Sequence, residues 1–145
     1  MIYTYSKAKD SDMEVLYKAF TTVMKEFIID IWGWDEEWQL NDFINHYIAD
    51  HIIVVKNNSH IVGYCQFEEL SSHIFISMLI ILPEHQSKGI GSKLILMLKK
   101  RSSDKAKSLQ LNVFKINIKA KLFYEKQGFK VTDETDTSYV MEINI

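Results

Sequence analysis

Residues 83–92 read Pro83-Glu84-His85-Gln86-Ser87-Lys88-Gly89-Ile90-Gly91-Ser92, and this stretch separates two apolar runs. Ile74-Phe75-Ile76-Ser77-Met78-Leu79-Ile80-Ile81-Leu82 stands before it and Lys93-Leu94-Ile95-Leu96-Met97-Leu98 after it. The first run lacks clean alternation, as a central strand covered on both faces does, and the second carries a helical pattern. The stretch is therefore a strand-to-helix loop. Gly89 and Gly91 let a ligand lie against bare main chain, N–H groups can point outward together at the helix start, and the aligned peptide dipoles favour negative charge there. Each such interaction is worth about 0.3–1 kcal/mol when exposed and up to ~2 when partly buried, so a ligand needs several at once. A pyrophosphate supplies them. A glycine-containing turn that binds nothing is the alternative the loop alone leaves open.

Two familiar phosphate loops fail on spacing. G-x-x-x-x-G-K-S/T has no match, because Lys88 precedes the glycine it should follow, and G-x-G-x-x-G lacks its third glycine, because Leu94 stands there.

Working outward, Ile2 to Ala8 alternates as a short strand. Ser11 and Glu14 form an S-x-x-E box that starts a helix, whose apolar stripe runs Val15, Leu16, Ala19, Phe20, Val23, Met24, Phe27, Ile28, Ile31 and stops at Gly33. Asp35 caps a second helix to about Ile48, anchored by Trp38, Phe43 and Tyr47. Strands follow at His51 to Lys56, His60 to Glu69 and about His73 to Leu82, the first two joined by Asn57-Asn58-Ser59. A helix from near Gly91 to Ser102, a strand from Leu109 to Phe114, a helix capped by Asn117 and closed by Gly128, and strands at Phe129 to Thr132 and Ser138 to Ile143 complete the chain. This order predicts an α/β domain with a mixed, mostly antiparallel sheet.

The 145 residues are one domain's worth, and 47% hydrophobic content is enough for a single core. A net charge of −2 argues against a nucleic-acid binder. Lys93, Lys99, Lys100, Arg101, Lys105 and Lys107 form a local basic cluster that is either a solvated face or a docking rim for phosphates. No apolar run is long enough to span a membrane and no leader-like pattern opens the chain, so cytoplasmic residence is expected. His46, His51, His60, His73 and His85 show no metal-ligand spacing, and Cys65 reads as an inert core thiol.

The run Leu79-Ile80-Ile81-Leu82-Pro83-Glu84, then Q-x-x-G-x-G at 86–91, then Asn117-Ile118-Lys119-Ala120-Lys121-Leu122-Phe123-Tyr124-Glu125-Lys126-Gln127-Gly128-Phe129 resembles the GNAT superfamily of acyl-CoA-dependent N-acetyltransferases. The loop is similar to that family's Q/R-x-x-G-x-G/A pyrophosphate motif and the later segment to its N-x-x-A-x-x-x-Y-x-x-x-G-F motif. The resemblance implies a single three-layer domain over residues 1–145 whose central sheet is splayed at a coenzyme A cleft, where pantetheine pairs with exposed main chain. It implies acetyl-CoA as co-substrate and direct transfer to an amine of a small molecule or peptide in a ternary complex, while the histidine spacing predicts no metal. It brings Leu79, Ile80 and Ile81 to pantetheine, Gln86, Ser87, Lys88, Gly89, Ile90, Gly91 and Ser92 to the pyrophosphate, Asn117 to the coenzyme, and Tyr124 to the departing sulfur as acid. The family's strand carboxylate is missing from Met78-Leu79-Ile80-Ile81, so Glu68 and Glu69 become the nearest candidates for the base, with relay through water as the alternative.

Trp32-Gly33-Trp34-Asp35-Glu36-Glu37-Trp38-Gln39 holds all three tryptophans beside three carboxylates and resembles a subgroup of the superfamily. Aromatic faces with carboxylates suit a cationic amine, which makes Trp32, Trp34, Asp35 and Trp38 candidates for acceptor binding; core anchors and first-turn acids are the structural alternative. A sensor module that binds acyl-CoA without transfer, and a nucleotide binder, are the competing functions. A homodimer is compatible with the sequence.

Overall fold

The computed structural model describes residues 2–144. Among them the chain runs β1 (Tyr3–Lys7), α1 (Met13–Trp32), α2 (Glu36–His46), β2 (Ile52–Asn57), β3 (His60–Glu69), β4 (His73–Ile81), α3 (Ile90–Asp104), β5 (Ser108–Phe114), α4 (Ile118–Lys126), β6 (Lys130–Glu134) and β7 (Ser138–Ile143). The described strands form an open mixed sheet in the order β1-β2-β3-β4-β5-β7-β6. β1–β2, β2–β3, β5–β7 and β6–β7 are antiparallel and β4–β5 is parallel, so the α/β reading with a mostly antiparallel sheet holds.

Contacts gather in two compact units. One comprises the residues up to Gln66 with Met78–Ile90; its buried residues include Leu16 and Phe20 on α1, Phe43 on α2, and Ile52, Val54 and Tyr64 on β2 and β3. The other comprises Phe67–Ser77 with the residues from Gly91 onward, and buries Ile74 and Ile76 of β4, Leu94, Ile95 and Leu98 of α3, and Leu109, Leu111 and Met141 of β5 and β7.

Helix α1 buries Leu16, Ala19, Phe20 and Ile28, and Gly33 ends it by donating its N–H to the carbonyls of Ile28 and Ile29 at 3.1 and 3.0 Å. Two details differ from the sequence reading. Val15 is exposed, and the helix starts at Met13 after a 3₁₀ turn at Asp10–Asp12, where the Asp12 carboxylate accepts the Lys9 N–H at 2.9 Å. That turn takes Ser11 into its own middle, away from the extended backbone a cap residue needs, so the Ser11–Glu14 box does not set the start.

Asp35 does cap α2, its Oδ1 accepting the Trp38 N–H at 3.0 Å. The register this sets turns Gln39 and Phe43 inward, four residues apart, and leaves Trp38 about 100° away around the helix and 60% exposed. Trp38 is therefore not an anchor. His51 belongs to a 3₁₀ turn at Ala49–His51 instead of opening β2.

In β3, a bulge opposite Val55 and Lys56 shifts the pairing from Val55↔Gly63 to Lys56↔Ile61. Gly63 lies against β4: a Cβ there would sit 2.6 Å from the Ile80 carbonyl oxygen. The parallel ladder between β4 and β5 runs from His73↔Ser108 to Ile76↔Leu111. Beyond that rung β4 continues to Ile81, and β5 continues to Phe114 along β7.

Candidate active site

Where β4 ends, the Leu82 N–H donates to the Val62 carbonyl at 2.9 Å and a 3₁₀ turn forms at Pro83–His85. His85 is held from β1: its Nδ1 shares a hydrogen bond with the Tyr3 hydroxyl at 3.0 Å, with the rings edge-on at 5.8 Å. Gln86 folds its side chain back, Nε2 donating to the Ile81 carbonyl at 2.9 Å. Ser87 and Gly89 then take left-handed backbone, φ 62° and 86°. Left-handed residues alternating with right-handed ones are what bring successive N–H groups to one side as an anion cradle. Ser87, Lys88 and Gly89 are exposed, Ile90 is buried, and α3 begins there with first-turn N–H groups that have no partner within the helix.

The two loop glycines serve different ends. A Cβ on Gly89 would meet nothing within 4 Å, so the left-handed backbone alone calls for glycine. A Cβ on Gly91 would sit 3.0 Å from the Phe123 ring. Gly91 thus makes room for a side chain of α4, a role the sequence reading did not see.

Asn117 caps α4, Oδ1 accepting the Ala120 N–H at 3.2 Å. On that helix Tyr124 is 9% exposed, its ring edge-on to Phe123 at 5.4 Å and to Phe129 at 5.7 Å. Edge-to-face contacts on both sides fix a ring's orientation. Gln127 donates Nε2 to Ser92 Oγ at 3.0 Å and receives Lys99 Nζ on its carbonyl at 2.5 Å. Its partners stand 35 and 28 residues away, so no local pattern marks it.

Glu69 is engaged elsewhere. Arg101 Nε donates to its carboxylate, Lys105 Nζ lies 3.3 Å from it, and the Arg101 guanidinium rests over the Phe67 ring at 5.2 Å. Burial works to raise this carboxyl, but the hydrogen bonds from Arg101 and Lys105 outweigh it and hold it below the ordinary value. A carboxylate so held is a weaker base. This argues against Glu69 as the proton acceptor. Glu68 is exposed at the same strand end.

In the tryptophan-rich segment, Trp32 is 65% exposed, Trp38 is exposed, and Asp35 is committed to its cap. Trp34 is half-buried; its Nε1 donates to Glu36 at 2.5 Å, and Lys25 Nζ lies 5.2 Å from its ring centroid. Trp34 therefore already faces a cation from its own chain. The Tyr17 hydroxyl donates to the other Glu36 oxygen at 3.1 Å, and these two hydrogen bonds, from Trp34 and then Tyr17, lower the Glu36 carboxyl. Glu36 lines a groove of about 630 Å³ with Glu14, Tyr17, Lys18, Thr21, Thr22 and Leu40. Tyr17, Thr21 and Leu40 were not singled out from sequence, since only the crossing of α1 and α2 joins them.

Cys65 is fully buried, and burial pushes its thiol up to about 12. Among the described residues no group of three or more His, Cys, Asp or Glu could hold a metal ion, and no helix is long and apolar enough to cross a membrane.

A sequence model of the acetyltransferase (GNAT) family matches residues 14–129. Solved structures share the fold over essentially the whole chain. The PaiA N-acetyltransferase of Thermoplasma acidophilum, in complex with coenzyme A, is 23% identical with a TM-score of 0.81, covering 100% of both chains. Arabidopsis thaliana Naa50, in complex with the bisubstrate analogue CoA-Ac-MVNAL, is 19% identical at 0.74, covering 100% of both. The Escherichia coli ribosomal-protein-S18-alanine N-acetyltransferase is 16% identical at 0.77, covering 98% of this chain and 93% of that one. Among curated proteins no sequence match was found.

Proposed function

The chain belongs to the acetyltransferase (GNAT) family, and from that premise we propose that it transfers an acetyl group from acetyl-CoA to an amine of a small molecule or peptide, by direct attack with both substrates bound. The observation that carries this reading is that β4 outruns its last rung with β5 and leads directly into the Gln86–Gly91 loop. A strand that outruns its neighbour offers an edge to an amide-bearing ligand, and a pantetheine arm is such a ligand.

In this reading the N–H groups of residues 86–92 hold the pyrophosphate, with Lys88 adding charge. Main chain around Leu79, Ile80 and Ile81 pairs with pantetheine, and a donor there faces the thioester oxygen as it gains charge. Loss of such a donor costs about 2.7–4 kcal/mol in other enzymes. The amine nitrogen bonds to the acyl carbon, the carbon–sulfur bond breaks, and the Tyr124 phenol gives its proton to the departing sulfur. Asn117 carries the cap and a coenzyme contact together. The proton of the amine passes to water or to the exposed Glu68, since Glu69 is held by cations.

The exposed Trp32 and Trp38 receive the acceptor, beside a Trp34 whose ring faces Lys25 and an Asp35 that caps α2. One protein of this fold is a ribosomal-protein-S18-alanine N-acetyltransferase, and another is in complex with the bisubstrate analogue CoA-Ac-MVNAL. A peptide acceptor fits an exposed aromatic surface.

A second reading, a sensor that binds acyl-CoA without transfer, is favoured by the engagement of Glu69 and the lack of a carboxylate on 78–81. Incubation with acetyl-CoA and a panel of polyamines, amino acids, aminoglycosides and amino-terminal peptides, followed by thiol release, separates the two. Turnover with one class supports transfer; tight coenzyme binding with no turnover on the whole panel supports the sensor. Tyr124→Phe is expected to lower kcat about 10²-fold with coenzyme affinity little changed. An unchanged rate removes the role given to Tyr124.

A further inference from the structure

The start of α3 and the end of α4 are clipped together. Ser92 Oγ accepts a hydrogen bond from Gln127 Nε2, the Gln127 carbonyl takes the Lys99 ammonium, and the Phe123 ring fills the space that Gly91 leaves. The main chain of Gln127 reaches back as well, its N–H donating to the carbonyls of Tyr124 at 3.0 Å and Phe123 at 3.1 Å. One residue therefore holds a side chain on the loop-bearing helix and a main-chain bond at the proposed acid. Lys99 adds a cation where the helix's carbonyls end, which favours this docking.

We propose that Gln127 is a positioning residue for Tyr124: its side-chain amide registers the last turn of α4 against the first turn of α3, so that the phenol is set by the same element that carries the anion-binding loop. α4 has nine residues, too few to hold its own geometry in isolation, so its docking decides where Tyr124 sits. The Gln127–Ser92 bond is a single exposed contact, so its loss leaves the fold standing. The inference rests on the reading of Tyr124 as the acid.

A double-mutant cycle tests it: wild type, Gln127→Ala, Tyr124→Phe and the double variant, assayed by thiol release from acetyl-CoA with the acceptor found on the panel, or with water as acceptor if none is found. Gln127→Ala should lower kcat about tenfold, and the double variant should be no slower than Tyr124→Phe, because a residue acting through another adds nothing once that one is gone. A merely structural contact would instead multiply the two losses. If Gln127→Ala is poorly folded by thermal melt, Ser92→Ala breaks the same bond from the other side and takes its place. Multiplying effects, or an unchanged kcat in Gln127→Ala, overturn the positioning role while leaving Tyr124 as the acid. A Tyr124→Phe enzyme as fast as wild type overturns both.

Discussion

Gly63 and Gly89 are glycines for opposite reasons, and their alanine variants should part accordingly. At Gly63 the obstacle is spatial, because the added carbon would meet a backbone oxygen that no rotamer change can move. Gly63→Ala should cost about 3 kcal/mol, the upper end for forced overpacking, with a lowered urea midpoint as the readout. At Gly89 there is room, and only the left-handed backbone resists. Gly89→Ala should cost about 1 kcal/mol of stability but weaken coenzyme A binding in calorimetry, since the loop gains by relaxing out of its cradle. Equal losses of stability in the two variants would contradict this division. The same residue scale separates Asp35 and Asn117, whose caps are visible in sequence because donor and acceptor stand three residues apart, from Gln127, whose partners do not.

At the scale of elements, β3 and the residue that closes α2 carry the alkaline limit of the fold. Burial pushes the Cys65 thiol from 9.0 to about 12, and Tyr64 beside it is raised by burial too; Tyr47 rises from 10.0 to about 12 through burial and then the charges of Asp12 and Asp10. The unfolded chain loses these protons first, so the folded state binds more protons above the ordinary values. Their contribution is complete below about pH 9 and is lost as pH climbs toward 12. The urea midpoint should therefore fall between about pH 9 and pH 11, less steeply in Cys65→Ala. A flat midpoint in that range would show that these groups ionise freely in the folded chain. Helix α1 is legible because its apolar stripe repeats over many residues, and strand β4 because its apolar run is long and broken only by Ser77. The start of α1 is not, because a 3₁₀ turn takes in Ser11 and moves the start past it.

For the whole molecule, coenzyme A should act as a stabiliser. A ligand at a hundred times its dissociation constant adds about 2.7 kcal/mol, and a chain of this size gains roughly 2–4 °C per kcal/mol, so the melting temperature should rise by about 5–11 °C. ATP at the same concentration should do much less, lacking an arm to pair with β4. No rise with coenzyme A or its acetyl ester would remove the ligand on which the proposed function depends. What the sequence determined by itself was the order of elements, the loop between a buried strand and a helix, two helix caps and the pair of family motifs. Each is written in residues within a turn or two of one another, where chain chemistry alone decides. The tertiary structure alone decided that Glu69 spends its charge on Arg101 and Lys105, that Trp38 faces outward, that Gly63 admits the Ile80 carbonyl, and that Gln127 joins α4 to α3. Those outcomes depend on which helix face and which strand edge meet after collapse, and spacing along the chain carries no record of partners that only packing brings within a few ångströms.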